Sequence, residues 1–204
     1  MIPEHSNVNI LHIDSSTSGA DSVSRAVTRA VIDKLTADNP DASVTYRDLG
    51  TEPLAHLNPV ITGAIRTPEE HQTDDMKAAA APERAILDEF LAADTIVIGV
   101  PMYNFAIPSN LKSWIDRLGV PRTTFRYTEN GPEGLAGGRR VIFAIAAGGP
   151  YEPGSQPLSL IEDFLTTMFG FIGITDMTFV RATGVGMTGP EGAIDKAKED
   201  IAKL

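Results

Sequence analysis

The chain has 204 residues, of which 27 are acidic and 17 are basic, so its formal net charge at pH 7 is −10. This charge opposes nonspecific binding to nucleic acid or to acidic membranes, because the average field repels phosphate groups. Since the chain has no cysteine, disulfides, thiolate metal sites and a cysteine-based phosphatase centre are excluded.

Length and local pattern predict one domain over residues 1–204. Residues 1–7 lack the basic region and apolar stretch of a secretory signal, and no run reaches the roughly 18 apolar residues that cross a bilayer. We therefore expect a cytoplasmic protein with neither a nucleic acid nor a membrane as partner.

The first predicted strand, residues 8–13, precedes a loop crowded with hydroxyl groups and a helix that begins near Ser22. The free N–H groups and the dipole at a helix N-terminus favour an anion. Ser16, Ser22 and Ser24 can add hydroxyl donors, and Arg25 can add a nearby positive charge. The alternative is that Ser22 only caps the helix and the other serines satisfy turns. Because neither a P-loop nor a GxGxxG turn is present, a monophosphate is the best match.

The next segment, up to residue 92, carries weaker signals. Residues 43–49 alternate and predict an outer strand, whereas residues 51–67 predict an irregular segment with breaks at Asn58-Pro59 and Gly63. The apolar second half of residues 68–92 predicts a core helix. His56 and His71 have no partners at metal-ligand spacing, so we expect ordinary surface residues and no metal site.

A β-branched run at residues 95–99 predicts a strand covered on both faces, and apolar residues at helical spacing predict a helix after Pro108. The loop between them follows the carboxyl end of a parallel strand, where open α/β sheets bind ligands. Its Tyr103 and Phe105 suit a flat heteroaromatic ligand, and the Asn104 amide offers a donor and an acceptor to an imide edge. The alternative is that both aromatics belong to the core and Asn104 completes a turn.

The C-terminal third adds a hairpin, a buried strand and two helices. Residues 124–135 predict a surface hairpin with a turn at Asn130-Gly131. The strand at residues 139–146 ends before Gly148 and Gly149, where the backbone can approach a ligand closely or simply turn. Helix 155–171, strand 177–180 and a final helix follow, the last with capping-box spacing at residues 188–191.

Two stretches, residues 101–112 and 124–135, resemble the bacterial FMN-dependent NADH azoreductases, also described as NADH:quinone reductases. In that family a serine after the first strand and a Ser-x-Ser at the helix start bind the FMN phosphate, and Ser16, Ser22 and Ser24 match this spacing. The resemblance also implies that Phe125 and Tyr127 line the substrate side of the flavin and that a homodimer carries the site at its subunit interface. The cofactor-binding residues expected from pattern and resemblance together are Ser16, Ser22, Val23, Ser24, Pro101, Met102, Tyr103, Asn104, Phe105, Ala146, Gly148, Gly149 and Tyr151.

The chain departs from the family at two places. The family carries Ser-Arg before the two glycines, whereas this chain has Ala146-Ala147. A hydroxyl and a cation are therefore lost, which implies weaker flavin binding or an altered reduction potential of the flavin. Residues 119–123 also diverge from the family, so the resemblance does not predict the backbone conformation there.

Five strands that alternate with helices predict an α/β fold, a flavodoxin-like doubly wound parallel sheet of order 2-1-3-4-5 with helices on both faces. The loops after strands one, three and four then meet at one edge, which favours FMN. Because the flavin carries the hydride, no catalytic side chain is required.

The expected reaction is ping-pong: NADH or NADPH, with NADH favoured, reduces FMN and leaves, and a quinone or azo compound then takes the electrons. The alternative is a flavodoxin-type electron carrier without NAD(P)H turnover. A phosphatase or phosphoacceptor regulator on the same sheet is less compatible with the missing cysteine and the chain length.

Overall fold

The computed structural model describes residues 8–204, in which strands and helices alternate along the chain. Those of the first half are β1 (Asn9–Asp14), α1 (Val23–Asp38), β2 (Ser43–Asp48), α2 (Pro59–Arg66), α3 (Asp74–Ala92), β3 (Thr95–Pro101) and α4 (Ser109–Ile115). Those of the second half are β4 (Phe125–Thr128), β5 (Gly131–Gly134), β6 (Arg140–Ala147), α5 (Gln156–Phe171), β7 (Asp176–Thr183) and α6 (Val185–Ile201). The expectation about a signal sequence in residues 1–7 lies outside the described residues.

Five parallel strands form the central sheet in the order β2-β1-β3-β6-β7. The predicted order is confirmed; the last two strands carry higher numbers only because β4 and β5 form a separate antiparallel hairpin, which was also predicted. β2 lies at one edge, as its alternating pattern indicated.

Each face of the sheet has its own hydrophobic core. Ile96 and Ile98 of β3 point into the core shared with α3, α4 and α5, whereas Val97 points into the core shared with α1 and α6. Successive side chains of a strand point to opposite faces, so a strand with helices on both sides is apolar throughout. The continuous apolar runs at β3 and β6 therefore predicted buried strands correctly.

The two ends of the sheet carry different structures. Pro101 pairs with Ala146, so the loops after β3 and β6 leave from the same edge, next to the end of β1. The β4–β5 hairpin instead contacts the turn before β7, where a Cβ atom on Gly134 would lie 2.1 Å from the Gly173 nitrogen. Seven steps of roughly 3.3 Å along β6 put about 23 Å between these two edges.

The predicted irregular segment at residues 51–67 is wrong over residues 59–66, which form α2. The Asn58 side chain accepts a hydrogen bond of 2.9 Å from the Ile61 N–H, and Pro59 occupies the first turn. The Asn-Pro pair that indicated a break is thus a helix start. Gly63 lies under the Met76 side chain, which would be 2.3 Å from a Cβ there, so this glycine permits close packing of α2 on α3.

The predicted capping box at residues 188–191 is also wrong. α6 already begins at Val185, after Gly184 in a left-handed conformation, and it kinks at Gly189, whose φ is 73°. The Thr188 hydroxyl donates to the Gly184 carbonyl at 3.2 Å instead of capping the segment that follows.

His56 and His71 are exposed, as predicted. Within residues 8–204, no three His, Asp or Glu side chains are grouped so as to hold a metal ion. None of the helices in that range is long and apolar enough to span a bilayer.

Candidate functional site

Three loops at the carboxyl edge of the sheet surround one cavity of about 200 Å³. We call residues 14–22 the phosphate loop, residues 101–107 the ring loop and residues 147–151 the glycine loop. The predicted residues that line the cavity are Ser16, Ser22, Val23, Ser24, Pro101, Met102, Tyr103, Ala146 and Gly148; Ser18, Asp21, Ala147 and Val185 line it as well. Val185 carries no signal in the sequence, because only the tertiary fold brings the start of α6 to this edge.

The phosphate loop presents buried hydroxyl groups beside the N-terminus of α1. Ser22 caps the helix, its Oγ accepting from the Arg25 N–H at 3.3 Å, and it lies 3.2 Å from the Oγ of Ser24. Ser16 and Ser24 are only 2% and 1% exposed. The remaining free N–H groups of the first helical turn and these hydroxyls form a donor set for a small anion.

The cation expected from Arg25 does not reach this cavity. Its guanidinium makes two hydrogen bonds to Asp48, at 2.6 and 2.8 Å, a third to the Ser16 carbonyl at 2.9 Å and a fourth to the Tyr46 hydroxyl at 3.0 Å. This pairing lowers the pKa of Asp48 to about 2. Among residues 8–204 no lysine or arginine lines the cavity, whereas the carboxylate of Asp21 does. The site would therefore bind an anion through dipoles rather than through a positive side chain.

Beneath the phosphate loop lies a buried polar network around Asp14. Its carboxylate accepts from the Thr28 hydroxyl at 2.9 Å and from the Tyr46 hydroxyl at 3.0 Å, and His12 lies 3.4 Å away. Burial raises the pKa of Asp14, but the hydrogen bonds and the His12 contact outweigh it, so this pKa is lowered. Burial and the Asp14 carboxylate raise the pKa of Tyr46 to about 12. The network therefore holds an anionic carboxylate behind the loop without exposing it to the cavity.

The ring loop turns sharply through Asn104 and Phe105. Tyr103 and Ala106 exchange backbone hydrogen bonds of 3.0 and 3.1 Å, and the two residues between them have φ angles of 50° and 65°. A left-handed phenylalanine is strained, which is typical of functional loops. Among the described residues, the N–H groups of Asn104 and Phe105 have no acceptor, so both are free to donate to a ligand.

The Tyr103 hydroxyl joins the ring loop to the phosphate loop. It accepts from the Thr17 N–H at 3.0 Å and lies 3.2 Å from the Thr17 hydroxyl and 3.4 Å from the Ser16 hydroxyl. Burial raises the pKa of this phenol, but the hydrogen bonds outweigh burial and lower it. Asn110 ties the same region together, since its amide donates to the carbonyls of Ser15 and Leu49 at 2.9 Å each. Neither Thr17 nor Asn110 carries a local signal in the sequence, because their partners lie far away in the chain.

The glycine loop is held by the start of α6. The Gly186 N–H donates to the Gly148 carbonyl at 2.9 Å, and the Gly184 N–H donates to the Gly149 carbonyl at 2.8 Å. The Tyr151 ring packs on Gly149, where a Cβ atom would be 2.6 Å from it. Gly149, Tyr151, Asn104 and Phe105 thus flank the cavity without lining it.

An apolar groove of about 500 Å³ begins at the ring loop, lined by Phe105, Ala106, Ile107, Ser109, Lys112, Leu160, Ile161 and Phe164. Phe105 and Leu160 are each 55% exposed. The groove shares no lining residue with the cavity of the three loops, and it offers an apolar surface at the ring loop, where the Asn104 and Phe105 N–H groups have no acceptor among the described residues.

The structure does not bring Phe125 and Tyr127 to this edge within one chain. Phe125 packs on Phe171 at the end of α5, with ring centroids 4.6 Å apart, and Tyr127 contacts Phe125 at 5.5 Å. Tyr127 is nonetheless 77% exposed. These aromatics lie near the opposite edge of the sheet from the ring loop.

The divergent segment 119–123 lies away from the three loops. Its last four residues line a cavity of about 560 Å³ together with α2 and α3, and none of the predicted site residues lines this space. The divergence therefore does not alter the cavity at the carboxyl edge.

The donor set fits FMN: hydroxyls and a helix N-terminus at the phosphate end, and free amides with an apolar surface at the ring end. Comparison with known proteins agrees with this assignment. Residues 8–204 match the family described as flavodoxin-like fold.

Similar sequences and structures cover nearly the whole chain. The FMN-dependent NADH:quinone oxidoreductases of Sinorhizobium fredii and Rhizobium meliloti are 52% and 49% identical to it, with 96% of this chain and 96% of each relative covered. A Bacillus anthracis FMN-dependent NADH-azoreductase solved in complex with FMN is 27% identical, with a TM-score of 0.83 over 96% of both chains. The chain therefore belongs to the flavodoxin-like family and, within it, to the FMN-dependent NADH azoreductases and NADH:quinone oxidoreductases.

Proposed function

We propose that this protein is an FMN-dependent oxidoreductase that uses NADH to reduce quinones and azo compounds. The observation that carries the proposal is the convergence of three loops on one cavity with a donor set for the FMN phosphate, next to a separate apolar groove that begins at the ring loop and suits the flavin ring. The names of the related sequences and of the azoreductase structures agree with it.

At the phosphate end, Ser16, Ser22 and Ser24 donate hydroxyl hydrogen bonds, and the first turn of α1 adds backbone N–H groups. Hydrogen bonds to an ionised acceptor are stronger than neutral ones, so a few buried donors can replace a lysine or arginine. This explains how a chain of net charge −10 can hold a dianionic cofactor.

At the ring end, the N–H groups of Asn104 and Phe105 have no acceptor among the described residues, and Phe105 lines the apolar groove. When bound, FMN supplies the hydride acceptor and donor chemistry. The two amides would stabilise negative charge that develops there, and the groove would exclude water from it. Ala146 and Ala147 offer only backbone polar groups where the family has Ser-Arg, so main-chain groups would hold the ring there.

The active unit we propose is a homodimer. Tyr127 and Phe125 lie near the edge of the sheet opposite to the ring loop, roughly 23 Å along the strands. Tyr127, which is exposed, can line a substrate pocket only if the hairpin of a second copy reaches the ring loop, with the buried Phe125 packed behind it. The exposed Phe105 and Leu160 supply the apolar surface that such a contact would bury.

Two further assignments belong to the proposal. We propose NADH as the preferred donor and NADPH as the weaker one, which is supported by the related sequences, since these are named NADH:quinone oxidoreductases. We also propose a cytoplasmic location, where NADH is available to reduce the cofactor.

The test is a visible spectrum of the purified protein after FMN addition and desalting, followed by anaerobic NADH and, in a parallel sample, NADPH. The proposal predicts retained flavin that NADH bleaches and benzoquinone reoxidises. Retained flavin that neither nucleotide reduces would indicate an electron carrier, and failure to retain FMN would refute the proposal. Sedimentation of wild type and of Tyr127→Ala, each with its rate of quinone reduction, tests the dimer: we expect Tyr127→Ala to slow turnover, and a fully active monomer would contradict it.

A further inference from the structure

The ion pair between Arg25 and Asp48 lies directly behind the phosphate loop. It connects the first turn of α1 with the end of β2 through hydrogen bonds of 2.6 and 2.8 Å, and both side chains are largely buried. Asp48 also accepts from the N–H groups of Gly50 and Thr51 at 2.9 and 3.2 Å. The carboxylate therefore both neutralises Arg25 and fixes the direction in which its guanidinium points.

That direction is toward the phosphate loop. The Nη2 of Arg25 donates to the Ser16 carbonyl oxygen at 2.9 Å. A Cβ atom on Gly50 would lie 2.2 Å from this oxygen and 2.7 Å from the same Nη2. The loop and the end of β2 thus meet so closely that only a glycine is accommodated.

The peptide between Ser16 and Thr17 connects the Arg25 contact with the cavity. A trans peptide is planar, so its carbonyl and its N–H point in opposite directions. With the carbonyl held by Arg25, the Thr17 N–H points away from Arg25, toward the Tyr103 hydroxyl at 3.0 Å. The side chain of Ser16, attached to the same peptide, lines the cavity.

We propose that Arg25 is a positioning residue for the FMN phosphate: it orients the Ser16–Thr17 peptide and the Ser16 hydroxyl without touching the phosphate itself. The inference rests on the proposed binding of FMN. It assigns Arg25 a role that its sequence position next to Ser24 does not suggest, since a direct charge contact is the simpler expectation there.

The test compares FMN with riboflavin, which lacks the phosphate. Affinities of both flavins for the deflavinated full-length protein are measured by fluorescence quenching in wild type, Arg25→Gln, Gly50→Ala and Arg29→Gln. Arg29 is the matched control, because it lies one turn further along α1, is 76% exposed and loses the same charge. We expect Arg25→Gln to weaken FMN about tenfold, roughly the value of one charge-assisted hydrogen bond, with riboflavin affinity unchanged.

Gly50→Ala keeps every charge and displaces the Ser16 carbonyl, so it should also weaken FMN relative to riboflavin, and it replaces Arg25→Gln if that variant does not fold. Equal losses in Arg25→Gln and Arg29→Gln would show a long-range charge effect and overturn the inference. Equal losses for FMN and riboflavin, or an unchanged FMN affinity in Gly50→Ala, would overturn it too. If wild type binds neither flavin, the proposed function itself is refuted.

Discussion

Ser22 and Ser24 allow helix capping and phosphate binding to be separated, because only one of them supports the helix. The Oγ of Ser22 accepts from the Arg25 N–H, whereas the Oγ of Ser24 has one hydrogen-bond partner within residues 8–204, the Oγ of Ser22 at 3.2 Å. Both hydroxyls line the cavity. Ser24→Ala should therefore act on FMN affinity with little effect on the free protein, and Ser22→Ala should act on both.

The magnitudes follow from the bonds lost. Ser24→Ala removes one neutral hydrogen bond, about 0.5 kcal/mol of the unfolding free energy. Ser22→Ala removes that bond and the cap, about 1.5 kcal/mol together. For a domain of this size these values correspond to Tm decreases of about 1–2 and 3–6 °C. Each variant would also lose the proposed hydrogen bond to the ionised phosphate, which is about 1.5–3 kcal/mol, or roughly 10- to 150-fold in Kd.

The assay combines calorimetry of the deflavinated protein with fluorescence titration of FMN and riboflavin. Ser159→Ala on α5, outside the cavity, controls for the loss of a helical serine. We expect Ser24→Ala to lower FMN affinity at least tenfold while its Tm and its riboflavin affinity stay near those of wild type. An unchanged FMN affinity, or an equal loss for riboflavin, would refute the assignment of this hydroxyl to the phosphate.

Three further outcomes are expected. Asp21→Asn removes the carboxylate that lines the cavity and should raise FMN affinity two- to fivefold at low salt, a gain that disappears near 1 M salt, where screening acts within about 3 Å; an equal gain at both salt concentrations would contradict this. Phe105→Gly should melt about 2–4 °C above Phe105→Ala in calorimetry, because glycine adopts a φ of 65° without the roughly 1 kcal/mol strain of alanine. Both variants should show lower initial rates of quinone reduction than wild type. The hydrogen bonds from Arg25 lower the pKa of Asp48 from 3.8 to about 2. The ionised carboxylate therefore stabilises the fold at pH values above its ordinary pKa, and this stabilisation is lost as the pH falls toward 2. The Tm difference between wild type and Asp48→Asn should be constant above about pH 5 and should narrow below pH 4.

The local hydrophobic pattern predicted most of the fold. Strands covered on both faces are apolar throughout, and the helices that cover them have apolar residues at helical spacing. The prediction at residues 59–66 was wrong because the Asn-Pro pair is found both at the ends and at the starts of helices. Asn-Pro ends a helix in one context and begins it in another, and only the Asn58 side chain bonded to the Ile61 N–H distinguishes them.

The candidate site was predictable where hydroxyls, amides and glycines follow strand ends, and less so where distant residues meet. The partnership of Arg25 with Asp48 spans 23 positions, and that of Thr17 with Tyr103 spans 86. Proximity to Ser24 suggested a phosphate contact for Arg25, but the stronger partner, Asp48, comes from the neighbouring strand. Likewise Phe125 and Tyr127 follow the ring loop in sequence, yet they lie near the other edge of the sheet.

The Tyr103 hydroxyl that bonds the Thr17 N–H makes the phosphate loop and the ring loop one cooperative unit. Neither loop can open without breaking the hydrogen bond that joins them, so local opening involves both loops at once. Hydrogen exchange of the Thr17 and Ala106 amides should therefore slow together when the cofactor binds. The cofactor then meets one preformed site: a flavin that engages one end finds the other end already in place. The ordering cost is shared by the two loops before the cofactor arrives, and this favours slow release over rapid exchange with free flavin.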